Sequence, residues 1–306
     1  MKKIFVTLFA LLAYTAIQAQ SNELIGQYFL NMPSYNPAFT GVDNFLNVSA
    51  GMRQQWTGFS GSPYNSFVNG YGLVGSSHDS LGIKPKHGIG ANIMMNGQGA
   101  YKQHEVALMY AYHVPVARKT YLSLGMSPTL YSERIQISKL TVEDDVNDAT
   151  YQSLMNGADS YTNLQLNAGL ALYSDRFYVS YSLRSAAKLS VSGNEEVFNR
   201  QTEKRHHIMA GYTFHINQRV DLITNSFLRI DRLRPALFEA GVRASMDRNK
   251  WLGISMRNDH TVVGTLGMLV KNKFSFGYAY EYKKFGIGST AGGTHELVLG
   301  IQLQNL

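Results

Sequence analysis

Cysteine is absent from the 306 residues, which excludes a disulfide framework, a zinc-thiolate site and lipoprotein acylation. Charge is sparse, at 16% of residues, and no basic run interleaves with aromatics. The formal charge of +7 falls to +5 once Lys2 and Lys3 are set aside, too mild and too scattered to make nucleic acid a partner. The apolar run Ile4 to Ala16 stops well short of the roughly 20 residues that a membrane-spanning helix needs. A mean hydropathy of -0.17 excludes a bundle of membrane helices. It leaves room for a membrane barrel, whose strands hide their apolar residues by alternation.

Signatures of chemistry are missing as well. His206 and His207 are adjacent, so on a strand they point to opposite faces and cannot readily share a metal. The glycine-rich stretch with Gly286, Gly288, Gly292 and Gly293 lacks the Gly-Lys-Ser/Thr ending of a phosphate loop and reads as a flexible connection. The acids between Glu133 and Asp159 do not follow the spacing of a calcium loop and read as a solvated one. No catalytic, metal or cofactor-binding residue is therefore assigned. A lipid hydrolase built from Ser and His stays open as an alternative, because triads are assembled in space.

What the chain does have is alternation. Lys2, Lys3 and the apolar run, closing on Ile17-Gln18-Ala19-Gln20, read as a secretory signal peptide over 1–19. Residues 20–44 carry Pro33, Pro37 and Gly41 without sustained alternation, and are expected to form an irregular periplasmic segment before the barrel. From 45 to 306 apolar and polar residues alternate in arm after arm. In one hairpin Leu164, Leu166, Leu170 and Leu172 oppose Asn163, Gln165 and Asn167, and Phe177, Val179, Tyr181 and Leu183 oppose Ser180, Ser182 and Arg184. A period of two belongs to strands. About fourteen arms follow from the pattern, with 19 Tyr, 15 Phe and 28 Gly among the residues.

Ten strand residues rise roughly 33 Å, which at a tilt near 45° spans the apolar band of an outer membrane. The even-numbered connections are mostly short, as at Ser174-Asp175, Asn217-Gln218, Asp247 to Asn249 and Lys271-Asn272, although Gly75 to Lys86 breaks the trend. The odd-numbered ones include 132–160, 185–203 and Lys283 to Thr294. The expectation is an all-β, antiparallel, up-and-down transmembrane barrel of about fourteen strands in the outer membrane, with both termini in the periplasm and the longer loops outside. Arg53, Arg184, Glu239, Arg243, Arg257 and Glu281 fall on polar faces, so the lumen is expected to hold charges of both signs and to be partly filled.

Several fragments, in order, resemble the PorP/SprF-type outer-membrane proteins of the type IX secretion and gliding system of Bacteroidota. Gln27-Tyr28-Phe29-Leu30-Asn31 and Asn36-Pro37-Ala38-Phe39-Thr40-Gly41 are similar to that family's Q-Y-x-x-N and N-P-A-[YF]-x-G. Arg53-Gln54-Gln55-Trp56-Thr57-Gly58-Phe59 is similar to R-x-Q-W-x-G-F, with Ser62 where Ala is usual. Trp251-Leu252-Gly253, Gly277-Tyr278-Ala279-Tyr280-Glu281-Tyr282, with Glu for the usual Asp, and Thr294-His295-Glu296 with Gly300 complete the set. The resemblance implies a barrel without catalytic residues that supports secretion or surface anchoring of a large adhesin, engaged through its C-terminal domain. Its neighbours would be periplasmic ring or peptidoglycan-linked components and outer-membrane lipid. The motif residues Gln27, Tyr28, Asn36, Pro37, Gly41, Arg53, Trp56, Gly58, Tyr278, Tyr280, His295, Glu296 and Gly300 are expected to shape turns, hold register or meet a partner. A passive channel for small solutes is the alternative function.

Overall fold

Alternation by itself suits a sandwich as well as a barrel; what separates them is whether the last strand returns to the first. The computed structural model describes residues 24–43, 45–74, 84–142, 147–193, 204–232, 234–284 and 292–304. Its strands are β1 Phe45–Gln54, β2 Tyr64–Val74, β3 Lys86–Gln98, β4 Tyr101–Ala117, β5 Thr120–Ile135, β6 Ser160–Ser174 and β7 Phe177–Gly193. They continue as β8 Arg205–His215, β9 Val220–Asp231, β10 Leu237–Met246, β11 Lys250–Arg257, β12 Thr261–Val270, β13 Phe274–Lys283 and β14 Thr294–Gln304. Each strand pairs with its chain neighbours in antiparallel fashion, and β14 closes on β1 from Phe45↔Gln304 to Gln54↔His295. The result is a closed barrel of fourteen strands, which leaves no sheet edge open to pairing.

Most of the outer face is apolar. Leu164, Leu166, Leu170 and Leu172 on β6, Val179 and Tyr181 on β7, and Phe274, Phe276, Tyr278, Tyr280 and Tyr282 on β13 all point out of the barrel. Their neighbours Asn163, Gln165, Asn167, Ser180, Ser182 and Glu281 are buried inside. Beginning with β4–β5, the even-numbered connections are tight: Asp175 and Arg176 alone separate β6 from β7, one residue later than expected. The opposite end, termed the mouth below, carries the β5–β6 connection with its short helical turns at Ile137–Lys139 and Ala149–Ser153. Strands β10 to β13 are 8 to 10 residues long, enough for the apolar band, whereas β4 and β7 have 17 residues each. β7 thus runs to Gly193 where the sequence suggested a loop from residue 185, and the wall β4–β7 stands above the rest at the mouth. Residues 1–23, which include the expected signal peptide, parts of the loops 75–86, 132–160 and 185–203, and Gly286 and Gly288 lie outside the described residues.

Residues 24–43 do not hang beneath the barrel as a separate segment. They fill its lumen. Short helical turns at Tyr28–Leu30, Met32–Tyr35 and Pro37–Phe39 keep the segment compact, and Leu24, Ile25, Tyr28, Tyr35, Ala38 and Phe39 are buried. The wall answers with inward apolar side chains that the alternation did not announce: Phe67, Met209, Phe227 and Val298 join the same cluster. The reason is geometric. About eight strands enclose a space that wall side chains can fill, but more strands leave room that water or another segment must occupy.

Candidate functional site

The luminal segment brings its own unpaired backbone groups, since it forms no sheet, and each buried N–H or C=O needs a partner. The wall supplies them strand by strand. At the mouth end Glu296 of β14 accepts from Gly26 N at 2.7 Å through Oε2, and from Gln27 N at 3.0 Å and Gln27 Nε2 at 3.3 Å through Oε1. Lower down, Asn225 Nδ2 donates to the Tyr28 hydroxyl at 2.8 Å, and Ser182 Oγ donates to the Tyr35 carbonyl at 2.7 Å. Asn36 inserts its amide between β6 and β7, donating to Leu170 O and Tyr181 O, each at 3.2 Å, while its Oδ1 accepts from Ala38 N at 2.9 Å. Ser123 Oγ donates to Ala38 O at 2.7 Å, and His113 Nε2 lies 2.9 Å from Thr40 O with its Nδ1 2.9 Å from the Tyr173 hydroxyl. The segment therefore descends from β14 and β12 near the mouth to the opposite end, where β1 begins.

Small wall residues make the close approach possible. Gly41 has φ +77, a conformation that favours glycine, and faces the backbone of Gly88; a Cβ on Gly88 would collide with Thr40 O. A Cβ on Gly125 or Gly169 would likewise strike Ala38 or Asn36.

Beside the upper part of the segment runs a chain of alternating charges. Arg53 Nη2 and Nε hold Glu281 at 2.7 and 3.0 Å, and Arg53 Nη1 donates to Asn65 Oδ1 at 3.1 Å. Arg257 bridges Glu281, at 2.9 Å through Nη1, and Glu239, at 2.6 Å through Nε; Ser255 Oγ donates to Glu239 at 2.7 Å. All four charged side chains are buried. Buried ions are tolerable because each faces opposite charge and planar hydrogen bonds. Arg243 instead lies over the Phe29 ring, 3.7 Å from its centroid. On the other wall Arg184 Nη2 meets Glu105 at 2.5 Å. The expected mixed-sign lumen is present, with Arg184 and Arg257 inside it.

The motif residues divide into three settings. Gln27, Tyr28, Asn36, Pro37 and Gly41 lie in the luminal segment, and Arg53 and Glu296 are the wall groups beside it. Trp56 and Gly58 belong to the β1–β2 connection, where Trp56 adopts φ 45 and Gly58 φ 101. That connection is tied to the start of β14 by Thr57 N to Gly293 O at 3.2 Å and Gly292 N to Thr57 O at 3.0 Å. Tyr278, Tyr280 and His295 face outward, with the Tyr278 hydroxyl 2.7 Å from His295 Nδ1, and Gly300 sits in the β14 ladder between Ser49 and Ser275. His295 and Glu296 thus do different work on opposite faces, as do His206, bonded to Tyr181 outside, and His207, 3.2 Å from Tyr35 O inside. At the mouth Arg53, Gln55, Trp56, Arg257, Asp259 and Lys283 line a polar cavity of about 40 Å³. Burial would raise the Asp259 carboxyl, but the Lys283 ammonium at 2.9 Å, a Thr261 hydrogen bond and Arg257 outweigh it and hold the group below its ordinary range.

Residues 17–301 match the family described as the type IX secretion system membrane protein PorP/SprF. The chain belongs to the PorP/SprF family. As a member of that family it is an outer-membrane β-barrel protein of type IX secretion. None of the curated protein sequences matches it. Among solved structures it is similar to the outer membrane protein Omp33 of Acinetobacter baumannii, at 10% identity, covering 87% of this chain and 100% of that one with a TM-score of 0.49. A monoaromatic hydrocarbon channel, CymD, gives 12% identity, 94% of each chain and a TM-score of 0.49. The Pseudomonas putida toluene transporter TodX gives 9% identity, 94% and 96% coverage and 0.49. In this PorP/SprF chain most of the motif residues expected from the resemblance lie in the luminal segment and at the mouth, features that the strand pattern alone would not have located.

Proposed function

We propose that the protein is a non-enzymatic scaffold of the type IX pathway that supports secretion or surface anchoring of a large adhesin, engaged through that adhesin's C-terminal domain at the mouth. The observation that carries this reading is the occupied lumen: a segment held by Glu296, Asn225, Ser182, Ser123 and His113 along its length leaves the barrel walls to act as a support. The same observation weighs against a passive channel for small solutes. Short turns and the end of β14 face the periplasm on this reading, where ring or peptidoglycan-linked components are met, and the tall β4–β7 wall faces outward. The luminal segment, expected beneath the barrel, instead has Gly26 and Gln27 in the mouth half. Deletion of the gene is expected to remove a small, defined set of adhesins from the cell surface. An unchanged surface proteome would refute the proposal.

A further inference from the structure

The short-turn end has a charge character that the secretion role does not use. Each described connection there contributes at least one basic side chain: Lys84 before β3, Arg118 and Lys119 before β5, and Arg176 before β7. The next ones add Arg219, Arg248, and Lys271 with Lys273. The acids described at this end are Asp43, Asp175, Asp221 and Asp247. Three of them make loose ion pairs, Lys119–Asp175 at 3.5 Å, Arg248–Asp221 at 3.7 Å and Arg219–Asp247 at 3.9 Å, of the kind that contributes little to stability, and the half-buried Asp221 also lies 2.6 Å from His215 Nδ1. Arg118, Arg176, Lys271 and Lys273 have no acidic partner among the described residues. At the mouth Lys283 is paired with Asp259 and Arg134 with Asp159, and Lys139 and Lys204 there have no acidic partner among the described residues.

Backbone conformation adds a second, independent observation. Lys119, Arg248 and Lys271 have φ of 56, 56 and 53. Left-handed backbone suits glycine or asparagine and penalises a long side chain. These turns carry a basic residue on left-handed backbone, beside Asp247 and Asn272, which share that conformation.

Position identifies what the charge meets. The basic tips follow within a few residues of exposed, outward apolar side chains: Val116 before Arg118, Ile216 before Arg219, Met246 before Arg248, and Val270 and Phe274 around Lys271 and Lys273. They lie at the level where an apolar band gives way to head groups, and they recur from β3 to β13, around the circumference. A single docked protein would favour a patch on one side; a collar fits a solvent that surrounds the barrel.

We propose that this basic collar binds anionic phospholipid head groups of the leaflet at the short-turn end, selecting an anionic lipid shell and fixing the barrel's depth. The test uses the full chain reconstituted in mixed bilayers, with spin-labelled phosphatidylglycerol and phosphatidylcholine as probes of the lipid shell. Phosphatidylglycerol is expected to associate about two- to fivefold more strongly at low salt, and the preference to shrink as salt screens the collar. The triple variant Lys119→Gly, Arg248→Gly and Lys271→Gly removes charge while relieving left-handed backbone, so its barrel is expected to fold, as read from heat-modifiable gel mobility. Its lipid preference is expected to fall by about half or more. Equal association of the two lipids, or a preference insensitive to both salt and the triple variant, overturns the proposal. Loss of an acidic periplasmic protein from the triple variant with lipid preference intact also overturns it and gives the surface to that protein.

Discussion

Removing the Glu296 carboxylate tests how the luminal segment is retained. In Glu296→Ala the Gly26 N–H, the Gln27 N–H and the Gln27 side-chain amide lose their buried acceptor, and each unsatisfied donor costs about 1–3 kcal/mol, so roughly 3–9 kcal/mol in all. Against this stands the burial of Leu24, Ile25, Tyr28, Tyr35 and Phe39, at about 1.5–3 kcal/mol each and so on the order of 10 kcal/mol together. The hydrogen bonds of Asn36, Ala38 and Thr40 with the wall are untouched by the change. The comparison predicts a segment loosened at its upper end and still seated below. In planar bilayers wild type is therefore expected to be silent, Glu296→Ala to show at most brief openings, and a deletion of residues 24–40 to conduct steadily. Steady conductance by wild type equal to that of the deletion would refute the closed lumen. Equal conductance by Glu296→Ala and the deletion would show that apolar packing contributes far less than its buried area suggests.

Other substitutions probe separate parts of the same arrangement. Arg257→Met strands Glu239 without its cation, while Glu281 keeps Arg53, and should cost about 3–5 kcal/mol, read as unfolding of the heat-modifiable band at a lower temperature. Gly88→Val pushes a side chain into Thr40 O and should displace the lower part of the segment, detected as new protease cleavage near residue 40 with the barrel itself intact. At the mouth, Asp259 has its folded pKa depressed by Lys283 and its hydrogen bonds. Its contribution is thus fully present above the ordinary aspartate value of 3.8 and lost as pH falls through the lower folded value. Hydrogen exchange of the 258–260 turn should accelerate in that acid window in wild type, and Asp259→Asn should abolish the pH step; a step that survives the substitution would assign it to another group.

The barrel was legible because its information is local. Every second residue of β6 and β13 meets a different medium, so Leu164 to Leu172 and Phe274 to Tyr282 declare both strand and face. Glu281, Arg53 and Arg257 were readable as luminal for the same reason, though their mutual pairing joins strands far apart in sequence and could not be read from spacing. The seat of residues 24–43 was hidden. Pro33 and Pro37 announce a break in alternation, and a break looks alike whether the segment lies outside a barrel or within it. One signal did exist: Gly88, Gly125 and Gly169 interrupt otherwise bulky strands, and each proves to be a point where the segment touches the wall. Phe227 and Met209 face inward against the polar trend for the same cause.

The placement of the motif residues expected from the resemblance then follows from one physical requirement. A fourteen-stranded wall encloses more volume than its side chains fill, so this barrel needs an internal filler whose buried polar backbone finds partners on the wall. Gln27, Tyr28, Asn36, Pro37 and Gly41 give that filler its turns and donors, while Glu296 accepts from it and Arg53, Glu281 and Arg257 neutralise one another alongside it. Trp56 and Gly58 extend the arrangement to the rim, where the β1–β2 connection is laced to β14 through Thr57, Gly292 and Gly293. Because the filler directly precedes β1 in the chain and its upper end is held by β14, the last strand, its seating and barrel closure join the same two ends. Arg53 and Glu296 are paired residues across that closing seam. Loss of the filler should therefore weaken closure as well as open the lumen: the 24–40 deletion is expected to show its first accelerated hydrogen exchange in the β1–β14 ladder, and exchange spread evenly over all fourteen strands would refute the link.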